Sequence, residues 1–185
     1  MADLTNGLLQ GKSGQKRGAA EIMETWMPCQ AFPKYLVSPE GLIMNRERGT
    51  LVQTRLNHQG IRMVSIVDES NKRKTRSVAL FVARLYLRPP HNRFYNSVIH
   101  LNGDKSDCTA LNLMWRPRWY AVNYHLMFLE EPIDISVEIK ETGEVFGMLR
   151  EACVKYGLNE QDVYMDLVTG GSCFHYGFRF QRVDL

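Results

Sequence analysis

The chain of 185 residues is 44% hydrophobic and 23% charged, a composition typical of a folded globular protein with one ordinary domain or two small ones. Its formal net charge of +3 permits a nucleic-acid partner without requiring one, so the distribution of charge has to decide. No apolar run reaches the roughly 18 residues of a membrane span, and the N-terminus lacks the apolar core of a signal peptide. We therefore expect a cytoplasmic protein with no membrane partner.

The four cysteines do not form a recognisable metal or redox motif. Cys29, Cys108, Cys153 and Cys173 are far apart in the sequence, and no two of them stand in a C-x-x-C arrangement. We therefore expect buried free thiols, because cysteine commonly behaves as a small apolar residue of the core.

The N-terminal segment, residues 1–23, is rich in glycine, lysine and small polar residues and has no hydrophobic periodicity. This pattern predicts a flexible, mildly basic tail. Two functions stay open for the tail at this point: an inert leader and an arm that binds phosphates.

Residues 24–77 predict an N-terminal β motif. Short apolar segments alternate with turn-forming residues, at 35–37, 42–44, 51–54 and 61–67. The sequence Ser38-Pro39-Glu40-Gly41 favours a tight turn between the first two strands, and Asn57 to Gly60 favours another.

A cluster of cations marks the next hairpin tip. Four of the five residues at 72–76 are basic: Lys72, Arg73, Lys74 and Arg76. Such a run is usually a solvated tip. It is equally suited to phosphate contacts, because clustered Lys and Arg side chains release condensed counterions from a duplex.

Residues 78–88 read as a buried helix that stops before Pro89-Pro90, since the apolar run is too long and continuous for a half-exposed strand. A ββα core is predicted at 94–129. It contains a short strand ending at His100, a polar loop, a second strand up to Trp115 and a helix that begins near Pro117. We interpret Trp115 and Trp119 as core residues rather than base-stacking platforms.

The last part of the chain, residues 133–185, follows an acidic linker at 130–132 and predicts one small module. Its elements are a strand at 133–139, a strand at 144–146, a helix at 148–156 ending at Gly157, a helix at 160–168 and a strand at 176–182. The two helices have the spacing of a helix-turn-helix, whose second helix can enter a major groove.

Three parts of the chain resemble, in the same order, parts of the HNH homing endonucleases. Tyr35-Leu36-Val37-Ser38 and Glu40-Gly41-Leu42-Ile43 are similar to their N-terminal motif. His100-x-Asn102-Gly103-Asp104-Lys105 with Leu111-Asn112-Leu113-x-Trp115 resembles their ββα-metal nuclease core. Segments at 142–152, 156–158 and 177–180 resemble the C-terminal DNA-binding module of intron-encoded phage endonucleases.

The resemblance covers roughly residues 26–182 and implies an α+β fold. The implied fold has N-terminal β-hairpins and a ββα-metal (HNH) core within residues 24–129. A small β-hairpin/helix-turn-helix module follows at 133–185.

In that family a histidine of the core acts as general base, and a divalent cation stabilises the charge at the scissile phosphate. The cation is held by an aspartate directly before the histidine and by an asparagine or histidine on the following helix. The resemblance places His100 at the base position, as a vestigial base. It places Ile99 and Ala121 at the two ligand positions, which leaves Asn123 and His125 as weak metal candidates.

Other observations also argue for a decayed metal centre. Oxygens of Asn102, Asp104 or Asp107 could serve a rearranged site, but Asn-Gly-Asp is also what a tight turn needs. In the preceding helix the family often has His-Arg, whereas this chain has Ala79-Leu80. We expect no cofactor, apart from Mg²⁺ or Mn²⁺ if the site is active.

Three functions are compatible with the sequence. The first is a DNA-binding protein derived from an HNH homing endonuclease, with little or no nuclease activity. The second is an active nicking endonuclease with a rearranged metal site. The third is an interaction or assembly protein with a protein or ribonucleoprotein partner, which the balance of 20 acidic against 23 basic residues permits. For the first, the expected contacts with double-stranded DNA are Lys72, Arg73, Lys74, Arg76, Asn102, Lys105, Arg116, Arg118, Asn159, Gln161 and Tyr164.

Overall fold

The computed structural model describes residues 26–90, 92–169, 174–175 and 177–184. Over these residues the chain forms four antiparallel sheets and four α-helices, which confirms the α+β class. The tail predicted at 1–23 lies outside the described residues, as does Cys173. None of the described helices is long and apolar enough to cross a membrane.

The elements are short. The strands are β1 (Met27–Cys29), β2 (Phe32–Val37), β3 (Ile43–Asn45), β4 (Thr50–Leu51), β5 (Thr54–Leu56), β6 (Arg62–Val67), β7 (Arg73–Ser77), β8 (Ser97–His100), β9 (Leu113–Arg116), β10 (Val137–Ile139), β11 (Glu144–Phe146), β12 (Phe174–His175) and β13 (Phe178–Arg182). The α-helices are α1 (Val78–Tyr86), α2 (Arg118–Leu126), α3 (Leu149–Tyr156) and α4 (Glu160–Thr169).

The N-terminal sheets, β1 to β4 and β5 to β7, pack with α1 around one core. The β2–β3 hairpin forms as predicted, and its turn depends on Gly41, which has a φ of +81°. A Cβ at Gly41 would lie 2.9 Å from Cβ of Cys108, so no other residue fits there without a shift. Cys29, Cys108 and Cys153 are buried free thiols, as expected.

The basic tip lies on the β6–β7 hairpin, where Val67 pairs with Arg73. Asp68 organises the turn, because its carboxylate accepts hydrogen bonds from the backbone N–H groups of Ser70 and Lys72 at 3.0 and 2.9 Å. These bonds, with that of the Ser70 hydroxyl as the largest contribution, lower the pKa of Asp68. One anionic side chain, that of Asp68, therefore fixes the turn of the hairpin that carries the cluster of cations.

The ββα core consists of the β8–β9 hairpin and α2. Side chains alternate along β8, so Ile99 packs against Tyr124 and Met127 on the α2 side, whereas His100 lines a surface groove. The predicted helix up to residue 129 is shorter than expected, because the last turn, Met127–Leu129, is a 3₁₀ helix.

The C-terminal module packs α3 and α4 against the sheet β11-β10-β13-β12. Gly157 ends α3 in the left-handed conformation, as predicted. The strand predicted at 133–139 is wrong in its first half and begins only at Val137. The preceding backbone bonds elsewhere: Ile133 N–H donates to Glu160 Oε1 at 3.1 Å, and Ile135 N–H donates to the Ile133 carbonyl.

The C-terminal module is fixed to the ββα core at Gly157. The Gly157 carbonyl accepts hydrogen bonds from Arg116 Nη2 at 3.1 Å and from the Tyr120 hydroxyl at 3.2 Å. The Tyr120 hydroxyl in turn accepts one from Asn159 N–H at 2.7 Å. Ile99 Cδ1 approaches the same glycine, 3.1 Å from the place a Cβ would take.

A second contact holds the linker, and we call it the linker clamp: Arg150, Glu160 and the backbone of residues 130–133. The Arg150 guanidinium donates to Glu160 Oε2 at 2.6 and 2.9 Å and to the Glu130 carbonyl at 2.8 Å. Glu160 is only 2% exposed, so this ion pair is strongly shielded from water.

Candidate functional site

The side chain of His100 lines an open groove of about 660 Å³, which we call the His100 groove. Its walls come from α1, α2 and the turn after it, β8 and the polar loop, the strands β6 and β7, and the loop before β6. It is lined by Asn57, Gln59, Ile61, Met63, Ser77, Ala79, Leu80, Asn96, Ser97, Val98, His100, Lys105, Arg118, Ala121, Val122, His125, Leu126 and Leu129. Among the residues described, this lining contains two cations and two imidazoles but no carboxylate.

His100 is almost completely buried, with 4% of its surface exposed. Both of its ring nitrogens are shielded, and neither has a hydrogen-bond partner within the described part of the chain. Burial, assisted by the nearby His125, lowers the pKa of His100 to about 4. The imidazole is therefore neutral at neutral pH.

His125 lies against His100, with ring centroids 5.6 Å apart, and both of its nitrogens are engaged. The backbone N–H of His100 donates to His125 Nε2 at 3.3 Å, so this nitrogen carries a lone pair and the proton is on Nδ1. Nδ1 accordingly donates to the Ala121 carbonyl at 2.8 Å. Burial lowers the pKa of His125 as well, which keeps this neutral tautomer.

The donor set around His100 does not fit a divalent cation. Ile99 is fully buried in the apolar cluster with Tyr124, and Ala121 offers only a methyl group. Asn123 is exposed and does not line the His100 groove, and the lone pair of His125 Nε2 already accepts a bond. In the described ranges no group of three or more His, Cys, Asp or Glu side chains is arranged to hold a metal ion.

The polar loop after His100 is held by its own hydrogen bonds. Asn102 Oδ1 accepts from Asp104 N–H at 2.9 Å, and Asn102 Nδ2 donates to Asp107 Oδ2 at 3.0 Å. Asn112 Nδ2 donates to Asn102 Oδ1 at 3.0 Å. Hydrogen bonds, from Ser106 to Asp104 and from Thr109 to Asp107 in the first place, lower the pKa of both aspartates. These oxygens build the turn, in agreement with the turn chemistry expected there.

We expect acid to destabilise the protein through His100. The unfolded chain protonates this histidine near pH 6.5, whereas the folded protein does so only near pH 4, so protons favour unfolding between these values. The contribution of the neutral His100 to the free energy of unfolding is present above pH 6.5. The free energy of unfolding falls by about 2 kcal/mol between pH 7 and pH 5. Urea unfolding at both pH values measures this loss.

His100→Gln should lose much less stability over the same pH range, because glutamine does not titrate. The exposed His58 provides the control, and His58→Gln should keep the wild-type pH dependence. Equal losses in wild type and His100→Gln would show that His100 does not carry the effect.

The predicted DNA contacts divide into exposed and buried residues. Lys72, Arg73, Arg76, Asn102, Arg118 and Gln161 are exposed, and Lys74 and Lys105 are half-buried. Lys74 lies 4.0 Å from the Asp68 carboxylate, whereas Lys105 and Arg118 line the His100 groove. The basic hairpin and the groove therefore present cations to solvent.

Arg116 and Asn159 serve the interior instead. Arg116 is 8% exposed, and its guanidinium binds the carbonyls of Tyr156 and Gly157. Asn159 is 6% exposed and caps α4, with Oδ1 accepting from Gln161 N–H at 3.0 Å. Neither side chain presents its polar atoms to a duplex, so we leave both out of the proposed DNA surface.

The charge on α4 does not favour its entry into a major groove. The helix carries Glu160, Asp162 and Asp166 and no lysine or arginine. Tyr164, a predicted base contact, is half-buried and packs on the core of the C-terminal module. Carboxylates at this face would repel phosphates, because duplex affinity depends on neutralising them.

The sequence interpretation missed an exposed apolar wall on α2. The expectation that Trp119 is a core residue is wrong, since 65% of its surface is exposed, whereas Trp115 is half-buried as expected. Val122, Leu126 and Leu129 are also more than half exposed and line the His100 groove. The signal was present as the i, i+3, i+7, i+10 spacing of these four residues, which places them on one helical stripe.

The fold can be compared with known proteins. No family model matches the chain, and no curated protein matches it. Among solved structures the chain is similar to the HNH homing endonuclease I-HmuI, in a structure that concerns DNA binding and cleavage by that enzyme. The likeness covers 85% of this chain and 97% of that one, with a TM-score of 0.50 and 18% sequence identity. The architecture described above is thus an HNH endonuclease-like fold.

Proposed function

We propose that the protein binds double-stranded DNA on an HNH endonuclease-like scaffold and has little or no nuclease activity. The observation that carries the proposal is the lining of the His100 groove, which contains Lys105 and Arg118 but, among the described residues, no carboxylate that could serve as an anionic metal ligand. The likeness to I-HmuI, a homing endonuclease that binds DNA, supports DNA as the class of partner.

The two histidines of the groove are poorly suited to catalysis. A general base is most effective when its pKa lies near the working pH, whereas the pKa of His100 is about 4. The second imidazole, His125, uses both nitrogens to bond the backbone. The groove can accept a phosphate but has little means of activating water.

The outward face of the sheet β5 to β7 extends the groove and forms the proposed duplex contact. Met63 and Ser77 line the His100 groove and pair across β6 and β7, so they mark this face. By the same register Arg55, opposite Met63, and Arg73, opposite Val67, lie on it. Lys105 and Arg118, which also line the groove, add positive charge to it.

Salt dependence tests the duplex contact. Binding to a labelled duplex of about 30 base pairs should weaken steeply between about 50 and 200 mM salt, since bound Lys and Arg release counterions. Each of Arg55→Ala and Arg73→Ala should reduce the slope of log affinity against log salt by about one. Arg48→Ala, in the exposed turn between β3 and β4, is the matched control. Affinity that does not change with salt would contradict the proposal.

A plasmid assay tests the loss of activity. Supercoiled plasmid incubated with Mg²⁺ or Mn²⁺ should stay supercoiled in the presence of the wild-type protein. Nicking that disappears in His100→Ala would overturn this part of the proposal. It would favour the active endonuclease with a rearranged site.

The exposed apolar wall on α2 favours a second candidate function. Protein–DNA interfaces are polar and positively charged, whereas Leu126 and Leu129 are 51% and 82% exposed. A contiguous apolar surface of this kind suits a protein or ribonucleoprotein partner. Purification from the native source after nuclease treatment tests it. A stoichiometric protein partner that is lost in Leu126→Ser would favour this function over DNA binding.

A further inference from the structure

A second cationic surface lies between the C-terminal end of α1, the loop after it and β9. Two adjoining depressions of about 380 and 560 Å³ share Leu87, Pro89, Pro90, Tyr95 and Trp115. We call them together the Trp115 pocket. Among the residues that the structure describes, no carboxylate lines either depression.

Four arginines line the Trp115 pocket: Arg116 is buried and bonded to backbone carbonyls, whereas the other three face solvent. Arg84 and Arg93 line the first depression and Arg88 lines the second, and all three are exposed. Arginine stays charged at any physiological pH, and its planar fork matches the oxygens of a phosphate. The pocket is therefore suited to an anion.

Aromatic side chains stand beside these cations. Tyr95 contributes to both depressions, and the neighbouring Phe94 is 64% exposed. The Arg93 guanidinium carbon lies 5.2 Å from the centre of the Phe94 ring. Exposed aromatic faces beside arginine are the means by which proteins hold unstacked bases and their phosphates.

Backbone and side-chain hydrogen bonds hold residues 92–95, which carry these groups. Asn92 Oδ1 accepts a hydrogen bond from Phe94 N–H at 2.9 Å, and the Asn92 carbonyl accepts one from Tyr95 N–H at 3.2 Å. Pro89 and Pro90 restrict the backbone at the start of the loop. A preorganised loop binds with a smaller loss of conformational entropy.

The indole ring of Trp115 lines both depressions. Its Nε1 is shielded from solvent and has no hydrogen-bond acceptor among the described residues. The indole N–H can only donate, and a buried donor without an acceptor is unfavourable. Because Nε1 is out of reach of solvent, Trp115 offers a ligand the surface of its ring and not its N–H.

We propose that the Trp115 pocket binds an unpaired nucleotide of single-stranded DNA. The three exposed arginines bind the phosphates, and the base stacks on Tyr95 in the pocket and on the exposed ring of Phe94 next to it. Bases inside a duplex are stacked on each other and cannot reach these rings, whereas each depression has the volume of a small-ligand site. The inference rests on the proposed function in that DNA is the ligand, but it uses a surface apart from the β5–β7 face.

Binding to single strands with and without bases tests the inference. The probes are a labelled oligo-thymidylate of about 12 nucleotides and an abasic strand of the same length and charge. The wild-type protein should bind the thymidylate at least about tenfold more tightly, because only that strand can stack. Phe94→Ala should abolish most of this preference, and Arg93→Ala should weaken binding to both strands.

Matched controls separate the pocket from general effects. Leu111 is 91% exposed, so Leu111→Ala removes an exposed apolar side chain elsewhere, and Arg48→Ala removes an exposed cation elsewhere. Neither should change the preference for the base-containing strand. In a Trp26→Phe, Trp119→Phe background Trp115 is the remaining tryptophan, and oligo-thymidylate should quench its fluorescence more than the abasic strand does.

The outcomes distinguish this inference from the proposed function. Salt-dependent duplex binding together with equal affinity for the two single strands would overturn the pocket and leave duplex binding intact. A preference for thymidylate that Phe94→Ala removes, without duplex binding, would support the pocket and overturn the proposed function. Quenching that is equal for both strands would also count against a base bound beside Trp115.

Discussion

Ile99→Asp is expected to lower the free energy of unfolding by at least about 4 kcal/mol, and it should not restore a metal site. Ile99 is fully buried, and its side chain packs among Tyr124 and Met127 on the inner face of β8. A carboxylate at this position would lose its hydration without gaining a cation, because the groove that holds His100 lies on the other face of the strand. Urea unfolding with and without Mg²⁺ measures the effect.

The matched control at this position is Ile99→Val, which keeps an apolar side chain. It should cost only about 1 kcal/mol, the usual effect of removing one buried methyl group. A stable Ile99→Asp protein that Mg²⁺ stabilises further, or that nicks plasmid, would show that this single substitution is enough to create a metal site.

Gly157→Ala is expected to destabilise the protein by about 3 kcal/mol, from a left-handed backbone and a crowded contact together. Gly157 has a φ of +62°, a conformation unfavourable for other residues. The new methyl group would also lie 2.7 Å from Met114 Sδ and 3.1 Å from Ile99 Cδ1, so the junction between the core and the C-terminal module has to move. Thermal or urea unfolding measures the loss.

Gly143 offers a control with the same backbone strain and no crowding. Its φ is +68°, and a Cβ there would meet nothing within 4 Å. Gly143→Ala should therefore cost only about 1 kcal/mol. If the two substitutions cost the same, the contact at Gly157 contributes nothing beyond the backbone.

The parts of the fold that were predicted from sequence are those determined by local signals. The turn at Gly41, the apolar run of α1 and the end of α3 at Gly157 each depend on a few neighbouring residues, and each forms as expected. The strand predicted at 133–139 failed because alternation alone could not reveal that Glu160, from a later helix, binds the Ile133 N–H.

The candidate site was harder to predict, because burial of a polar group depends on distant residues. The helical register made Asn123 only a weak metal candidate, and in the structure Asn123 is exposed and does not line the groove. The sequence could not indicate that the His100 N–H donates a hydrogen bond to His125 Nε2, or that Arg116 is buried against the carbonyl of Gly157. Such contacts join segments 25 to 41 residues apart in the chain.

The linker clamp has a consequence for how the protein meets a long ligand. Arg150 and Glu160 hold residues 130–133, which join the ββα core to the C-terminal module. A ligand that contacts both parts of the chain therefore does not have to orient one part relative to the other. Two modules on a flexible tether lose rotational and translational freedom on joint binding, and their effective concentration depends on the tether length. Here that loss is already incurred on folding. The clamp therefore helps to keep the distance between the β5–β7 face and the C-terminal module constant.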